Sequence, residues 1–198
     1  MTTAKPDREQ AAQAEERREV LPMQDKKETV SWQSFWGAPL LLALLVTVLD
    51  LFSKFLVIKF FPEPGKIYVH VIPGYFSLVH FRNTGAAWGI FAKHTYLLAL
   101  ISCLALMAII VFYRKLHEGQ RPLAIAYAIL AGGIAGNLYD RAFRGSVVDF
   151  LFFYFRDYKY SWPAFNIADA AICCSVIFML CYSIFQLHKT PAKTKPEP

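Results

Sequence analysis

The segment FNIADAAICCSVIFML, residues 165–180, is apolar enough to lie in a lipid bilayer, yet it contains Asp169. An ionised carboxylate at the centre of a membrane-spanning helix costs about 2.5–3.5 kcal/mol on insertion scales. Asn166 precedes Asp169 by three residues, on the same helix face and about one turn from the predicted helix start. The segment therefore predicts a membrane-spanning helix whose acid is shallow and has a polar neighbour.

The composition of the whole chain also indicates a membrane protein. Of the 198 residues, 56% are hydrophobic and only 18% are charged, whereas about a quarter of a typical soluble domain is charged. The net charge of +6 comes without the basic aromatic cluster of a nucleic-acid-binding protein, so no nucleic-acid partner is expected. The four cysteines lie in apolar runs, and we expect free thiols and no disulfide.

Four apolar runs are long enough to span a hydrocarbon core about 30 Å thick, which takes about 20 helical residues. They are residues 38–60, 95–113, 122–139 and 165–187. The third run, PLAIAYAILAGGIAGNLY, contains small residues that allow a neighbouring helix to approach closely. We predict a four-helix membrane domain over residues 32–188.

The ends of the chain differ from this domain. Residues 1–31 mix both charges with few large apolar side chains and predict a disordered extension, and residues 189–198 form a basic tail. With both termini inside, twelve lysines and arginines lie on the inner side and nine on the outer side. The excess of positive charge predicts that both termini are cytoplasmic.

Two connections on the predicted outer side have unusual sequences. Residues 66–72 and 75–82 alternate in polarity around Pro73-Gly74, which predicts a β-hairpin. The segment VVDFLFFYFRDYKYSW, residues 147–162, is crowded with aromatic side chains, as is typical of a segment in the membrane interface.

Polar residues cluster near the same boundary, apart from Asp50, whose depth the sequence does not fix. Asp50 and Lys54 are four residues apart on one helix face, a spacing that predicts an ion pair. The motif GNLYDR holds Asn137, Asp140 and Arg141, and a structural network with Arg141 as the partner of Asp140 is expected.

Asp149, flanked by apolar residues, comes near Asp169 if the third and fourth helices pack together and the aromatic connection folds back. Two adjacent carboxylates share one proton and can activate a water, as in aspartic proteases. Spacing alone also leaves open an ion pathway in a small transporter or channel, or structural pairing in a non-enzymatic membrane subunit.

Residues 38–187 resemble bacterial lipoprotein signal peptidase, signal peptidase II. The resemblance rests on Asp50 with Lys54 and on the motifs RNTGAAWG, GGIAGNLYDR, VVDF and FNIADAAI in this order. It implies an all-α membrane protein with four transmembrane helices, a small outer β-cradle at residues 66–82 and an interfacial amphipathic helix at residues 147–162.

The resemblance also implies an activity and a site. The activity is that of an aspartic endopeptidase of the bacterial inner membrane, which cleaves diacylglyceryl-modified prolipoproteins just before the lipidated cysteine at the outer face. Matching positions imply that Asp149 and Asp169 are catalytic. They imply substrate binding by Asn83, Asn137, Arg141 and Asn166. They imply a structural role for the polar residues Asp50, Lys54 and Asp140.

The resemblance further implies partners. They are the lipidated prolipoprotein, membrane lipid and globomycin-type inhibitors, and a monomer is expected. No metal or cofactor is expected, because His70 and His80 are interpreted as exposed strand positions without ligand spacing.

Overall fold

The computed structural model describes residues 32–85, 91, 94–156 and 158–189. The predicted extension over residues 1–31, nearly all of the basic tail and residues 86–89 of the RNTGAAWG motif lie outside the described residues. The division of the chain into extension, membrane domain and tail therefore stays a prediction.

Four long helices confirm the four predicted spans. They are α1 (Trp32–Phe60), α2 (Thr95–His117), α3 (Arg121–Tyr139) and α4 (Ile167–Lys189). Each is long and apolar enough to cross a bilayer. Many of their large apolar side chains are exposed on the protein surface, as lipid-facing positions of a membrane bundle should be.

Helix α3 packs closely on α1 and α4 through glycines. A Cβ atom on Gly132 would lie 2.5 Å from the carbonyl oxygen of Ala43 in α1. A Cβ atom on Gly133 would lie 2.7 Å from the carbonyl oxygen of Ala168 in α4. Because only glycine permits such approaches, the small residues of α3 serve packing, as the sequence predicted.

A small antiparallel sheet completes the fold. Its strands β1 (Lys66–Ile72), β2 (Phe76–Asn83), β3 (Val147–Phe155) and β4 (Tyr160–Ser161) lie side by side in chain order. Strands β1 and β2 form the predicted hairpin, and Gly74 in its turn has a φ of +85° that favours glycine. Strand β3 joins the other edge of β2, where Phe81 pairs with Asp149.

The prediction of an amphipathic helix over residues 147–162 is wrong, since this segment forms β3 and β4. Its β-branched and aromatic residues favour a strand, and the free edge of β2 supplies the backbone hydrogen bonds. Aromatic rings then stack across the strands, with the Phe76 and Phe153 ring centroids 4.6 Å apart. The fold is a four-helix membrane bundle with a four-stranded sheet, and is not purely α-helical.

The contacts of β2 also correct the interpretation of His80. This side chain is only 1% exposed and contacts the residue that follows α1. Its Nδ1 lies 2.6 Å from the Phe61 carbonyl oxygen and donates to it. His70, on the outer strand β1, is exposed as expected.

Candidate active site

Asp149 and Asp169 come together because the chain before α4 returns to β3. The backbones of Phe165 and Leu151 exchange two hydrogen bonds, of 3.0 and 2.9 Å. This bridge places Asn166, the residue before α4, against Asp149. The Asn166 amide nitrogen donates to Asp149 Oδ1 at 2.8 Å, and its backbone N–H donates to Asp169 Oδ2 at 3.3 Å. Both acids therefore contact the same asparagine.

The orientation of the Asn166 amide follows from the start of α4. The sequence NIAD forms a capping box, in which the Asp169 backbone N–H donates to Asn166 Oδ1 at 2.9 Å. An asparagine amide has one oxygen acceptor and one NH₂ donor. Because the oxygen is occupied by the helix cap, the NH₂ group is directed at Asp149.

A second asparagine is oriented in the same way on the other side of Asp149. Asn83 ends β2, and the Gly85 backbone N–H donates to its Oδ1 at 2.9 Å. Its NH₂ group then donates to Asp149 Oδ2 at 3.1 Å. Each oxygen of Asp149 thus receives one neutral amide donor.

The environment of Asp149 favours its protonated form. Burial and, after it, the nearby charge of Asp169 raise the pKa of Asp149 to about 7, against the hydrogen bonds from Asn83 and Asn166, which lower it. Two neighbouring carboxylates cannot both ionise easily. Asp149 can therefore hold a proton near neutral pH.

A third asparagine, Asn137 of α3, contacts Asp169. Its NH₂ group donates to Asp169 Oδ1 at 2.7 Å. Its oxygen accepts a hydrogen bond from Lys54 Nζ at 2.9 Å. Asn137 therefore links Asp169 to the lysine of α1.

Lys54 lies at the centre of a buried polar cluster. The predicted ion pair is present, with Lys54 Nζ 2.7 Å from Asp50 Oδ2 and 3.0 Å from Asp140 Oδ2. Asp50 Oδ1 also accepts the Ala168 backbone N–H at 2.9 Å, which ties α1 to the first turn of α4. All three charged side chains are fully buried.

The predicted pairing of Asp140 with Arg141 is wrong. Asp140 instead pairs with Lys54 and with Arg144, and accepts the Val148 backbone N–H at 3.1 Å. A π-helical turn over Asp140–Arg144 follows α3, and it places Arg144 beside Asp140. Sequence reasoning missed Arg144, although its i,i+4 spacing from Asp140 was a usable signal.

Arg141 points toward the acids. Its Nη2 donates to the Gly85 carbonyl oxygen at 3.2 Å, and the charges of Asp169 and Asp149 both act on it. Its side chain also lines a cleft beside Asp169.

A cleft of about 490 Å³ opens beside Asp169, a size typical of ligand sites. Its lining combines polar groups with apolar groups of α4, of β3 and of the loop before α4. The residues that line it are Asn83, Arg141, Val147, Trp162, Pro163, Ala164, Phe165, Asp169, Ala170, Ile172, Cys173 and Cys174. Within the part of the chain that the structure describes, no group of three or more His, Cys, Asp or Glu side chains is arranged to hold a metal ion.

Comparisons with known proteins agree with this architecture. The family model for signal peptidase (SPase) II matches residues 42–185. The lipoprotein signal peptidase of Bacillus velezensis is 36% identical over 149 residues, covering 75% of this chain and 95% of the relative. That of Bacillus subtilis is 37% identical over 139 residues, covering 70% and 88%.

Two solved structures are also similar. A bacterial membrane enzyme determined by the in meso method at 2.3 Å resolution has a TM-score of 0.69 and 29% identity, covering 80% of this chain and 95% of the other. Another, at 1.9 Å resolution, has a TM-score of 0.63 and 31% identity, covering 74% and 92%. Sequence and structure together show that the chain belongs to the signal peptidase II family.

Proposed function

We propose that this protein is an aspartic endopeptidase that removes the signal peptide from diacylglyceryl-modified prolipoproteins, just before the lipidated cysteine. Membership of the family supports cleavage of lipoprotein signal peptides, and the four spans support a multi-pass protein of the bacterial inner membrane. The observation that carries the finer proposal is the pair Asp149 and Asp169, joined through Asn166 beside a cleft.

In the proposed mechanism one acid acts as a general base on a water molecule, and the other acts as a general acid. Asp149 is the more buried acid and holds the shared proton. Asp169 faces the cleft, and its ionised form accepts a proton from the water that attacks the scissile carbonyl carbon. Asp149 donates its proton to the carbonyl oxygen. The C–N bond then breaks as the leaving nitrogen takes the proton held by Asp169, and one hydroxyl of the new carboxyl group returns its proton to Asp149.

The remaining polar residues hold this pair or meet the peptide. Asn83 and Asn166 position Asp149, and Asn137 positions Asp169. Arg141 lines the cleft and is a candidate donor to a peptide carbonyl of the substrate. Asp50, Lys54 and Asp140 lie behind the site and are assigned a structural role.

The cleft suits a substrate that is itself a membrane helix. Beyond the acids it continues along Ala170, Cys173 and Cys174, an apolar strip of α4. A signal-peptide helix can lie against this strip with its end at the acids, while the lipid of the substrate stays in the bilayer. We place the acids at the outer face and both termini in the cytoplasm, from the distribution of lysine and arginine. A monomer is sufficient for this mechanism, and globomycin-type inhibitors should compete for the cleft.

The test is cleavage of a lipidated prolipoprotein by the detergent-solubilised full chain. Asp149→Asn and Asp169→Asn should each lower the rate per folded molecule by about 10²- to 10⁴-fold, since neither can transfer a proton. The double variant should be little worse than either single variant, because the acids act as one unit. A near-normal rate in either single variant would contradict the proposed pair.

A further inference from the structure

The ammonium group of Lys54 makes one contact that the charge balance of its cluster does not require. Lys54 and Arg144 carry two positive charges, and Asp50 and Asp140 carry two negative charges, so these four side chains are neutral together. The third partner of Lys54 is nevertheless the neutral oxygen of Asn137, at 2.9 Å. This contact connects the cluster to the active site.

The contact with Lys54 decides which end of Asn137 faces Asp169. An ammonium group only donates hydrogen bonds, so it can face the amide oxygen of Asn137 and not its NH₂ group. The NH₂ group must then lie on the opposite side, where it donates to Asp169 Oδ1 at 2.7 Å. Without the ammonium group, the amide of Asn137 could rotate and present its oxygen to the carboxylate of Asp169.

Burial makes this orientation consequential. Lys54 is fully buried and Asn137 is 4% exposed, so little bulk water can replace a lost donor. In such surroundings an unsatisfied carboxylate oxygen costs more than it would at the surface. We propose that Lys54 is a positioning residue for Asp169: by holding the oxygen of Asn137, it keeps the Asn137 NH₂ group donating to the acid that activates the water. This inference rests on the proposed function.

Other charged groups also act on the two acids, and the test must separate them from this route. Arg141 faces both acids from the turn after α3, and the two acids act on each other. Lys54 also acts on Asp149 through its charge. A substitution at Lys54 must therefore remove the contact with Asn137 without changing the net charge of the cluster.

The paired variant Asp50→Asn/Lys54→Met meets this condition. It removes one positive and one negative charge, and leaves Asp140 paired with Arg144. An asparagine at position 50 can still accept the backbone N–H of Ala168. The same pair of substitutions is made in an Asn137→Ala background, where there is no amide left to orient.

The measurements are the pH–rate profile of cleavage per folded molecule and the titration of the two active-site carboxyl groups by ¹³C NMR. In the background that retains Asn137, we expect the paired variant to lose about 10- to 100-fold in rate, the loss typical of a hydrogen bond to a charged group. The acidic limb of the profile and the carboxyl titration should both move to higher pH, since ionised Asp169 loses a donor. In the Asn137→Ala background, the paired variant should add less than about threefold, because residues that act in series are not additive.

The inference is overturned if the paired variant loses the same factor in both backgrounds, or keeps the wild-type profile and titration. Should the paired variant not fold, Asn137→Leu decides, because leucine is close to asparagine in size, adds no charge and offers Asp169 no donor, while Lys54 keeps Asp50 and Asp140 as partners. A wild-type rate and titration in that variant would overturn the inference. If the wild-type chain does not cleave prolipoprotein, the proposed function fails, whereas the carboxyl titration still tests the role of Lys54.

Discussion

Asp149→Asn is predicted to abolish cleavage and also to change how stability depends on pH. In the folded protein, burial and the charge of Asp169 raise the pKa of Asp149 from 3.8 to about 7. A group whose pKa is raised on folding stabilises the fold fully below its unfolded pKa, and this contribution is lost as pH rises toward the folded pKa. The wild-type chain should therefore lose stability between about pH 4 and pH 7, and the asparagine variant should not.

The size of this effect follows from the change in pKa. A shift of one pKa unit corresponds to about 1.4 kcal/mol. The rise in the pKa of Asp149 therefore corresponds to at most roughly 4 kcal/mol in the free energy of unfolding. For a chain of about 200 residues, 1 kcal/mol moves the melting temperature by about 2–4 °C. The melting temperature of the wild type, measured relative to that of the variant, should therefore fall by about 10 °C between pH 4 and pH 8.

The assay is thermal unfolding in detergent at a series of pH values, with the variant compared to wild type at each one. Asparagine at position 149 also alters the contacts with Asn83 and Asn166, but that cost is the same at every pH and leaves the slope unaffected. Glu63→Gln is the matched control, because Glu63 is 66% exposed and its substitution should give a nearly constant difference. A constant difference for Asp149→Asn as well would refute the assignment of the shared proton to Asp149.

Three further outcomes are expected. Gly136→Ala should destabilise the protein by about 1–3 kcal/mol, because its Cβ would collide with the Asp50 carboxylate. Gly37→Ala, whose Cβ would have nothing within 4 Å, is the control in the same unfolding assay. Equal stabilities of the two variants would contradict the proposed packing. Asp140→Asn should lower the folded yield while retaining most of the cleavage rate per folded molecule, and a well-folded but inactive protein would mean that Asp140 belongs to the chemistry. Cleavage should continue in EDTA, because two carboxylates activate the water in the proposed mechanism, and activity that is lost in EDTA and restored by zinc would contradict it.

The features that could be predicted from the sequence are the local ones. Each membrane span is a continuous apolar run, and the β1–β2 hairpin is encoded by alternating residues around Pro73-Gly74. The capping box of Asn166 and Asp169 is likewise local, since its two residues are three positions apart. In such cases neighbouring residues decide the structure, and no distant partner is needed.

Most of the wrong predictions depend on distant partners, and the exception is Asp140, whose partner Arg144 lies only four positions on. Residues 147–155 form a strand because β2, more than 60 residues earlier, offers a free edge. His80 is buried against Phe61, 19 residues earlier, whose carbonyl oxygen its ring contacts. The contact of Lys54 with Asn137 joins residues 83 positions apart, and no spacing rule in the sequence connects them.

The two acids receive their side-chain hydrogen bonds from neutral groups, although the charge of Arg141 acts on both of them. Neutral amides from Asn83, Asn137 and Asn166 make the side-chain hydrogen bonds to Asp149 and Asp169, whereas the buried lysine reaches Asp169 only through one of those amides. A cation in direct contact would favour two ionised carboxylates, and the proton that activates the carbonyl in the proposed mechanism would then be lost. Neutral donors fix the geometry of both acids while leaving one proton to be shared. The separation of the buried lysine from the acids by neutral amides explains why the chain places a lysine in its core and still surrounds its acids with asparagine.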